Sequence, residues 1–183
     1  MHLHAITRLV VTRDELEELG YEGPMSNREE YHLFGAGCLV LARASRRLLI
    51  PRRRAGIPDG GLWSTFGGYL QDYRYPKQAM LQHLEEQAGL SGGNPYSGGH
   101  TNGAPGMYPL MTFHDLDSRF LYYNFLVVVD REFQPRIGQD MDHAEWFEVG
   151  TIPQPADRNL QALLENPLTI QTINYRTPDN LMA

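Results

Sequence analysis

The chain of 183 residues is long enough for one domain with a substantial buried core, and its composition, 42% hydrophobic and 21% charged, is ordinary for a globular protein. Sixteen Lys and Arg residues against 22 Asp and Glu residues give a net charge of −6, which excludes a general attraction to nucleic acid or to an anionic membrane. The single cysteine, Cys38, excludes an internal disulfide framework and indicates a reducing compartment.

The sequence contains no run that approaches the roughly 20 apolar residues of a membrane-spanning helix. The longest is FLVVV at 125–129. The first residues, MHLHAITRLVV, lack the basic and long apolar regions of a secretory signal. We therefore expect a cytoplasmic protein with no membrane partner, and the sequence leaves a homodimer open.

The N-terminal part predicts a strand over residues 3–11 and a short helix, DELEEL, over residues 14–19. The near-continuous apolar run GAGCLVLA predicts a strand covered on both faces, and LLIP predicts its hairpin partner. The polar span between the helix and these strands is either a loop over a site or a plain connection.

Three consecutive arginines, Arg52, Arg53 and Arg54, follow the hairpin. Such a cluster is commonly a solvated face. The alternative is a phosphate site, because guanidinium groups form paired hydrogen bonds with phosphate oxygens. Arg52 and Arg54 are therefore candidates for phosphate binding.

Residues 67–90 read GGYLQDYRYPKQAMLQHLEEQAGL and predict a glycine turn, a short loop and one helix. Pro76 suits the first helical turn, where its missing N–H costs nothing, and Gly89 suits the left-handed position just past the last turn. Four-residue spacing predicts a buried stripe of Met80, Leu84 and Ala88. A neighbouring polar face at i, i+3 and i+4 is predicted for His83, Glu86 and Gln87.

Residues 91–109 are rich in glycine and proline, and we expect a long loop that is either a mobile flap or a disordered insertion. MYPLMTFH and RFLYYNFLVVVD then predict two strands rich in aromatic and β-branched residues. The sequence leaves two roles open for the aromatic side chains of Tyr122, Tyr123 and Phe125. One is stacking on a base, and the other is packing in the core.

The C-terminal part predicts a loop, a strand, a helix and a tail. GQDMDHAE predicts a loop with four ionisable side chains, Asp140, Asp142, His143 and Glu145. AEWFEV predicts the last strand, residues 156–165 predict a helix, and residues 167–183 predict an irregular tail.

The stretch at 67–90 resembles the box of the Nudix hydrolases, whose pattern is G-x5-E-x7-R-E-U-x-E-E-x-G-U, with U a bulky aliphatic residue. With the pattern aligned on Gly89 and Leu90, its opening glycine falls on Gly68, its first aliphatic on Leu84 and its penultimate glutamate on Glu86. Four positions differ. The loop glutamate, the arginine, the first helix glutamate and the last one are replaced by Arg74, Gln82, His83 and Gln87.

The flanking segments strengthen the resemblance, which covers roughly residues 34–166. The strands and turn before the box, with Trp63, are similar to those of the family, as are the late strand, the Trp–Phe strand and the closing helix PADRNLQALLENP. The resemblance implies a single Nudix-like domain over residues 1–183. Its fold class would be α/β, an α/β/α sandwich with a mixed central sheet.

The resemblance also implies a metal site, since in the family the three helix glutamates hold Mg²⁺ or Mn²⁺ against a diphosphate. The corresponding ligands here would be His83, Glu86 and Gln87. A histidine suits softer metals than Mg²⁺, and an amide brings no charge, so Mg²⁺ or Mn²⁺ would be held weakly or be absent. For His83 the alternative is a surface histidine hydrogen-bonded to its helix neighbours.

Catalytic and phosphate-binding residues follow from the same resemblance. Asp140 lies where many members carry a loop glutamate that serves as ligand or base. His143 lies two residues from the position at which the branch resembling GDP-mannose mannosyl hydrolase carries its base histidine. The catalytic set would be His83, Glu86, Asp140 and His143. The set that contacts the phosphates would be Arg52, Arg54, Gly67, Gly68 and Arg74.

Two functions are therefore open. One is a divergent hydrolase that acts, with a divalent metal, on a nucleoside diphosphate linked to another moiety, such as a nucleotide sugar. The other is a catalytically impaired Nudix-fold nucleotide-binding or regulatory protein, because four working positions are substituted. Interaction with a protein partner through the glycine-rich loop is a third.

Overall fold

The computed structural model describes residues 4–6, 33–70, 76–90, 106–115, 119–138 and 140–177. These residues form a mixed sheet and three helices. The strands are β1 (His4–Ile6), β2 (Leu33–Ala42), β3 (Arg47–Arg53), β4 (Phe66–Tyr69), β5 (Gly106–Asp115), β6 (Phe120–Val129) and β7 (Met141–Glu148). The helices are α1 (Pro76–Ala88), α2 (Arg158–Glu165) and α3 (Pro167–Arg176).

The strand order in the sheet is β1-β5-β6-β2-β3-β7, with β4 paired to β2 outside this path. β2 and β6 are parallel, whereas β2–β3, β2–β4, β3–β7, β5–β6 and β1–β5 are antiparallel. β3 pairs with the end of β2 and β4 pairs with its beginning, so that Gly37 lies opposite Gly67. The predicted mixed α/β sheet is confirmed.

Helices cover both faces of the sheet, which explains the uninterrupted apolar character of β2. Ala36, Cys38 and Val40 belong to the core layer that contains the buried side of α1. Leu39 and Leu41 belong to the opposite layer, which contains the buried leucines of α2 and Ile173 of α3. The α/β/α sandwich follows from this alternation along the central strand.

Helix α1 begins and ends where the sequence predicts. Pro76 is its first residue, and Gly89 beyond its last turn has a φ of 68°. The stripe of Met80, Leu84 and Ala88 is fully buried. Helical periodicity therefore predicted correctly which side of α1 packs on the sheet.

The segment after β6 closes the end of α1. The backbone N–H of Arg136 donates to the carbonyl of Ala88 at 2.9 Å, and that of Gly138 donates to the carbonyl of Gln87 at 3.1 Å. These bonds satisfy carbonyls that a helix end otherwise leaves unpaired. They also fix the chain that leads to Asp140.

Three predictions about the secondary structure are wrong. The glycine-rich loop does not extend to residue 109, because β5 begins at Gly106 and includes the predicted strand MYPLMTFH. Asp142, His143 and Glu145 lie in β7 and not in a loop, because β7 pairs with β3 as far as Met141. The tail forms α3 over 167–176, where the Asn166 side chain accepts from the N–H of Leu168 at 2.8 Å and caps the helix.

The predicted strand at 3–11 is confirmed over His4–Ile6. The predicted helix at 14–19 and the loop residues 91–105 lie outside the described residues. In the part of the chain that the structure describes, no helix is long and apolar enough to span a membrane.

Candidate functional site

Gln87, predicted to face the site as a metal ligand, is turned into the core. Its Oε1 accepts from the N–H of Gly67 at 2.8 Å, and its Nε2 donates to the carbonyl of Gly67 at 2.9 Å. Gly67 has a φ of 146°, and a Cβ there would lie 2.6 Å from Cα of Gly37. The buried amide of Gln87 thus joins α1 to β4, and the polar face predicted for α1 loses one of its three members.

His83 lies against the second glycine of the box. A Cβ on Gly68 would be 3.0 Å from Cε1 of the imidazole, so the ring packs directly on the backbone of β4. Nε2 is 3.2 Å from the carbonyl oxygen of Tyr69, which can only accept a hydrogen bond. The Nε2 atom therefore carries the proton, and in the neutral ring Nδ1 is left as an acceptor.

Glu86 is the carboxylate that the box helix retains, and its side chain is 58% exposed. Its Oε2 is 4.0 Å from Nδ1 of His83, and its Oε1 accepts from Nε2 of Gln82 at 2.9 Å. Gln82 stands at the arginine position of the family pattern. Its hydrogen bond orients the Glu86 side chain. The structure brings His83 and Glu86 together on the open side of α1.

The donor set on α1 does not fit the family's metal site. Mg²⁺ takes hard oxygen ligands in octahedral geometry, and the solvent-accessible box positions of α1 offer one carboxylate and one imidazole. Within the described ranges, no group of three His, Cys, Asp or Glu side chains could hold a metal ion. Arg74 lies outside the described residues.

Arg52 and His143 lie on the other face of the sheet, around Trp63. The Arg52 guanidinium is 5.8 Å from the Trp63 ring, and its Nε donates to Oδ1 of Asp142 at 2.9 Å. The His143 ring meets Trp63 edge-on at 5.7 Å, and its Nε2 is 3.6 Å from Oε2 of Glu145. Trp63 belongs to the core layer that contains α2 and α3. The predicted catalytic residue His143 therefore lies on the opposite face of the sheet from His83 and Glu86.

Asp140 and Arg54 are both exposed, and their backbones are joined. The N–H of Arg54 donates to the carbonyl of Asp140 at 3.0 Å. Gly138, two residues before Asp140, is hydrogen-bonded to the last turn of α1. The backbone therefore brings Asp140 to the C-terminal end of the box helix, beside the arginine cluster.

A family sequence profile for the NUDIX domain matches residues 31–166, well over half of the chain. The chain belongs to the Nudix family. No curated protein sequence matches it.

Solved structures show the Nudix fold at low sequence identity. The MutT NUDIX hydrolase of Burkholderia pseudomallei is 18% identical, with a TM-score of 0.53 over 73% of this chain and 95% of that chain. The Nudix hydrolase RenU of M. smegmatis is 13% identical, with a TM-score of 0.55 over 81% and 88%. The NUDIX domain of Shewanella oneidensis NrtR, solved with ADP ribose, is 17% identical, with a TM-score of 0.56 over 85% and 96%.

Two features of this Nudix domain escaped the sequence analysis. Tyr69, directly after the box glycines, is 67% exposed and lies next to the ring of Phe120. Asp157 caps α2 by accepting from the N–H of Leu160 at 2.7 Å, and burial raises the pKa of its carboxyl. The sequence signals were an aromatic residue after a glycine pair and an acidic residue at the start of a predicted helix.

Proposed function

We propose that this Nudix domain binds a nucleoside diphosphate linked to another moiety, such as a nucleotide sugar or ADP-ribose, and has lost the family's metal-dependent hydrolysis. The paired hydrogen bonds between Gln87 and Gly67 carry the second half of this proposal. The first half is supported by membership of the family and by the NrtR domain, which has been solved with ADP ribose.

The replacement of glutamate by Gln87 acts on both charge and geometry. A glutamate at this position would have no N–H to donate to the carbonyl of Gly67. The amide satisfies both backbone groups of Gly67, and it is committed to holding β4 against α1. The position therefore serves the fold, and it brings no negative charge to a cation.

The charge of the box helix suits direct binding of a diphosphate. A cluster of carboxylates repels phosphate oxygens unless a cation lies between them. Here one box carboxylate, Glu86, remains, and His83 and Gln87 stand in the places of two others, which weakens that repulsion. Arg74, which lies between β4 and α1 in the sequence, adds a cation where the family pattern has a glutamate.

The experiment is a thermal-shift panel of ADP-ribose, a nucleotide sugar, a dinucleoside polyphosphate and ATP, each with Mg²⁺, with Mn²⁺ and with EDTA. A ligand that binds only the folded state raises the Tm. We expect at least one diphosphate ligand to raise the Tm equally in metal and in EDTA, with no product released. The absence of a shift with every ligand would contradict the binding proposal.

Hydrolysis is the second candidate, and the His83–Glu86 pair favours it. Because Nε2 of His83 donates to the carbonyl of Tyr69, Nδ1 can take a proton from a water whose oxygen bonds to one phosphorus of the diphosphate while the phosphoanhydride bond breaks and the other phosphate leaves as a monoester. Glu86, at 4.0 Å, stabilises the imidazolium that forms. In that case the same panel shows turnover, and both His83→Asn and Glu86→Gln abolish it.

Cytoplasmic location and a homodimer stay predictions.

A further inference from the structure

Gly138 lies directly on the last turn of the box helix. A Cβ at this position would overlap the backbone carbonyl oxygen of Glu86 and would be 3.0 Å from Cα of Gln87. The φ of Gly138 is not positive, so its backbone does not have the conformation that favours glycine. The position therefore excludes a side chain because the chain approaches α1 too closely, and not because of backbone strain.

Hydrogen bonds hold the segment around Gly138 in this position. The N–H groups of Arg136 and Gly138 donate to the last carbonyls of α1, at 2.9 Å and 3.1 Å. At the start of the segment, Nε1 of Trp146 donates to the carbonyl of Phe133 at 3.1 Å, and the two rings meet edge-on at 5.7 Å. The segment from Phe133 to Gly138 is thus fixed between β7 and α1.

The same segment determines where Arg54 lies. The N–H of Met141, the first residue of β7, donates to the carbonyl of Gly138 at 3.4 Å, and Met141 is the register partner of Arg53 on β3. The N–H of Arg54 then donates to the carbonyl of Asp140 at 3.0 Å. The distance of Arg54 from α1 therefore depends on the close contact at Gly138.

Arg54 differs from its two neighbours in the arginine cluster. Nε of Arg52 donates to the carboxylate of Asp142 at 2.9 Å, and Nε of Arg53 donates to the carbonyl of Pro58 at 3.0 Å. Arg54 is exposed, and no hydrogen bond or ion pair joins its side chain to another residue that the structure describes. Its guanidinium can therefore form the paired hydrogen bonds that bind a phosphate.

We propose that Gly138 is a positioning residue of the diphosphate site. Because it has no side chain, the segment lies on the last turn of α1, and this holds the Arg54 guanidinium where it binds a phosphate of a ligand beside His83 and Glu86. This inference rests on the proposed function and names the residue that sets the geometry of its arginine. A methyl group at position 138 would move the segment, and Arg54 with it, away from α1.

The test is isothermal titration with ADP-ribose. We expect Gly138→Ala and Arg54→Ala each to weaken binding by about tenfold or more, the loss typical of a hydrogen bond between charged groups. The double variant should bind no more weakly than Arg54→Ala alone, because Gly138 acts through Arg54. Gly150→Ala is the matched control. Gly150 has a φ of 95° and nothing within 4 Å of a Cβ, so this variant should lose stability and keep the wild-type affinity.

A second measurement uses the wild type alone and therefore does not require that Gly138→Ala folds. If loosening the segment weakens binding, then binding must tighten the segment by the same free energy. ADP-ribose should therefore slow amide hydrogen exchange at Gly138 and Arg54. Thr151, whose N–H donates to the carbonyl of Glu148 at the other end of β7, is the internal control and should be slowed less.

Three results would each overturn the positioning role and leave the proposed function standing. They are equal affinities of the wild type and Gly138→Ala, additive losses in the double variant, and unchanged exchange at Gly138 with ADP-ribose bound. Failure of the wild type to bind ADP-ribose would overturn the inference before any substitution is made. Failure with the whole thermal-shift panel would overturn the proposed function as well.

Discussion

Gln87 and Gly67 form a closed pair of hydrogen bonds, in which one side-chain amide satisfies both the N–H and the carbonyl of one glycine. The pair is buried and lies between the last turn of α1 and the middle of β4. It occupies the place where the family pattern puts a metal-binding glutamate. At this position the amide therefore has a structural role, which is to hold β4 against α1.

Gln87→Glu should destabilise the fold. The carboxylate has no N–H for the carbonyl of Gly67 and buries a charge, and a buried group left unpaired costs about 1–3 kcal/mol. Chemical denaturation gives the free energy of unfolding. Gln78→Glu makes the same exchange at an exposed position of α1 and should change the stability by less than about 0.5 kcal/mol. Equal stabilities of the two variants would contradict the structural role.

Gly67→Ala should lower the free energy of unfolding by more than the strain of a left-handed backbone alone. Its φ of 146° is strained for alanine, and its Cβ would lie 2.6 Å from Cα of Gly37. Gly61 has a φ of 82° with nothing within 4 Å of a Cβ, so Gly61→Ala measures the strain without the clash. We expect about 1–2 kcal/mol for Gly61→Ala and a larger loss for Gly67→Ala in denaturation experiments. A smaller loss at Gly67 would mean that β4 moves freely away from β2.

The stability should depend on pH through Asp157. Burial raises the pKa of its carboxyl, while hydrogen bonds from Leu160 and Ser64 and the charge of Arg53 oppose the shift and Asp59 adds to it. Because the pKa is higher in the folded state, the contribution of Asp157 to the free energy of unfolding is fully present below the unfolded pKa. It is lost as the pH rises through the folded pKa.

Asp157→Asn keeps a capping side chain and removes the titration. Relative to this variant, the wild type should therefore become less stable as the pH rises from below the ordinary pKa of an aspartate carboxyl through the raised pKa of Asp157. Thermal unfolding at several pH values checks it. Parallel pH profiles of the two proteins would show that Asp157 does not titrate differently on folding.

Asn166→Ala should weaken α3. The Asn166 side chain accepts from the N–H groups of Leu168 and Thr169, and loss of such a cap costs about 1 kcal/mol. Asn166→Asp retains the acceptor and should be close to the wild type. Denaturation with circular dichroism compares the two, and identical stabilities of all three proteins would show that the cap is unimportant.

The sequence was sufficient for the parts of the fold that depend on local periodicity. Pro76, Gly89 and the buried stripe defined α1, and the apolar run of β2 indicated a strand covered on both faces. The sequence did not show that the Gln87 side chain points to Gly67. That orientation depends on the pairing of β4 with β2, and β2 lies about 50 residues away from Gln87 in the chain. Local spacing places a side chain on a helix face but does not say what lies opposite.

The remaining errors have similar causes. The alternating charges of β7 looked like a loop, yet charged side chains are common on an edge strand. The helix after Asn166 was missed although an N-cap residue followed by proline is a start signal. The separation of His83 from His143 follows from the face of the sheet that each side chain occupies, which spacing along the chain does not determine.

The most direct test of the central claim is one sample of wild-type protein with ADP-ribose, followed by calorimetry and by phosphorus NMR, first in EDTA and then in excess Mn²⁺. We predict the same binding affinity in both conditions and an unchanged diphosphate signal after prolonged incubation. Conversion of the diphosphate signal to phosphate monoesters in Mn²⁺, absent from a parallel Glu86→Gln sample, would contradict the loss of metal-dependent hydrolysis.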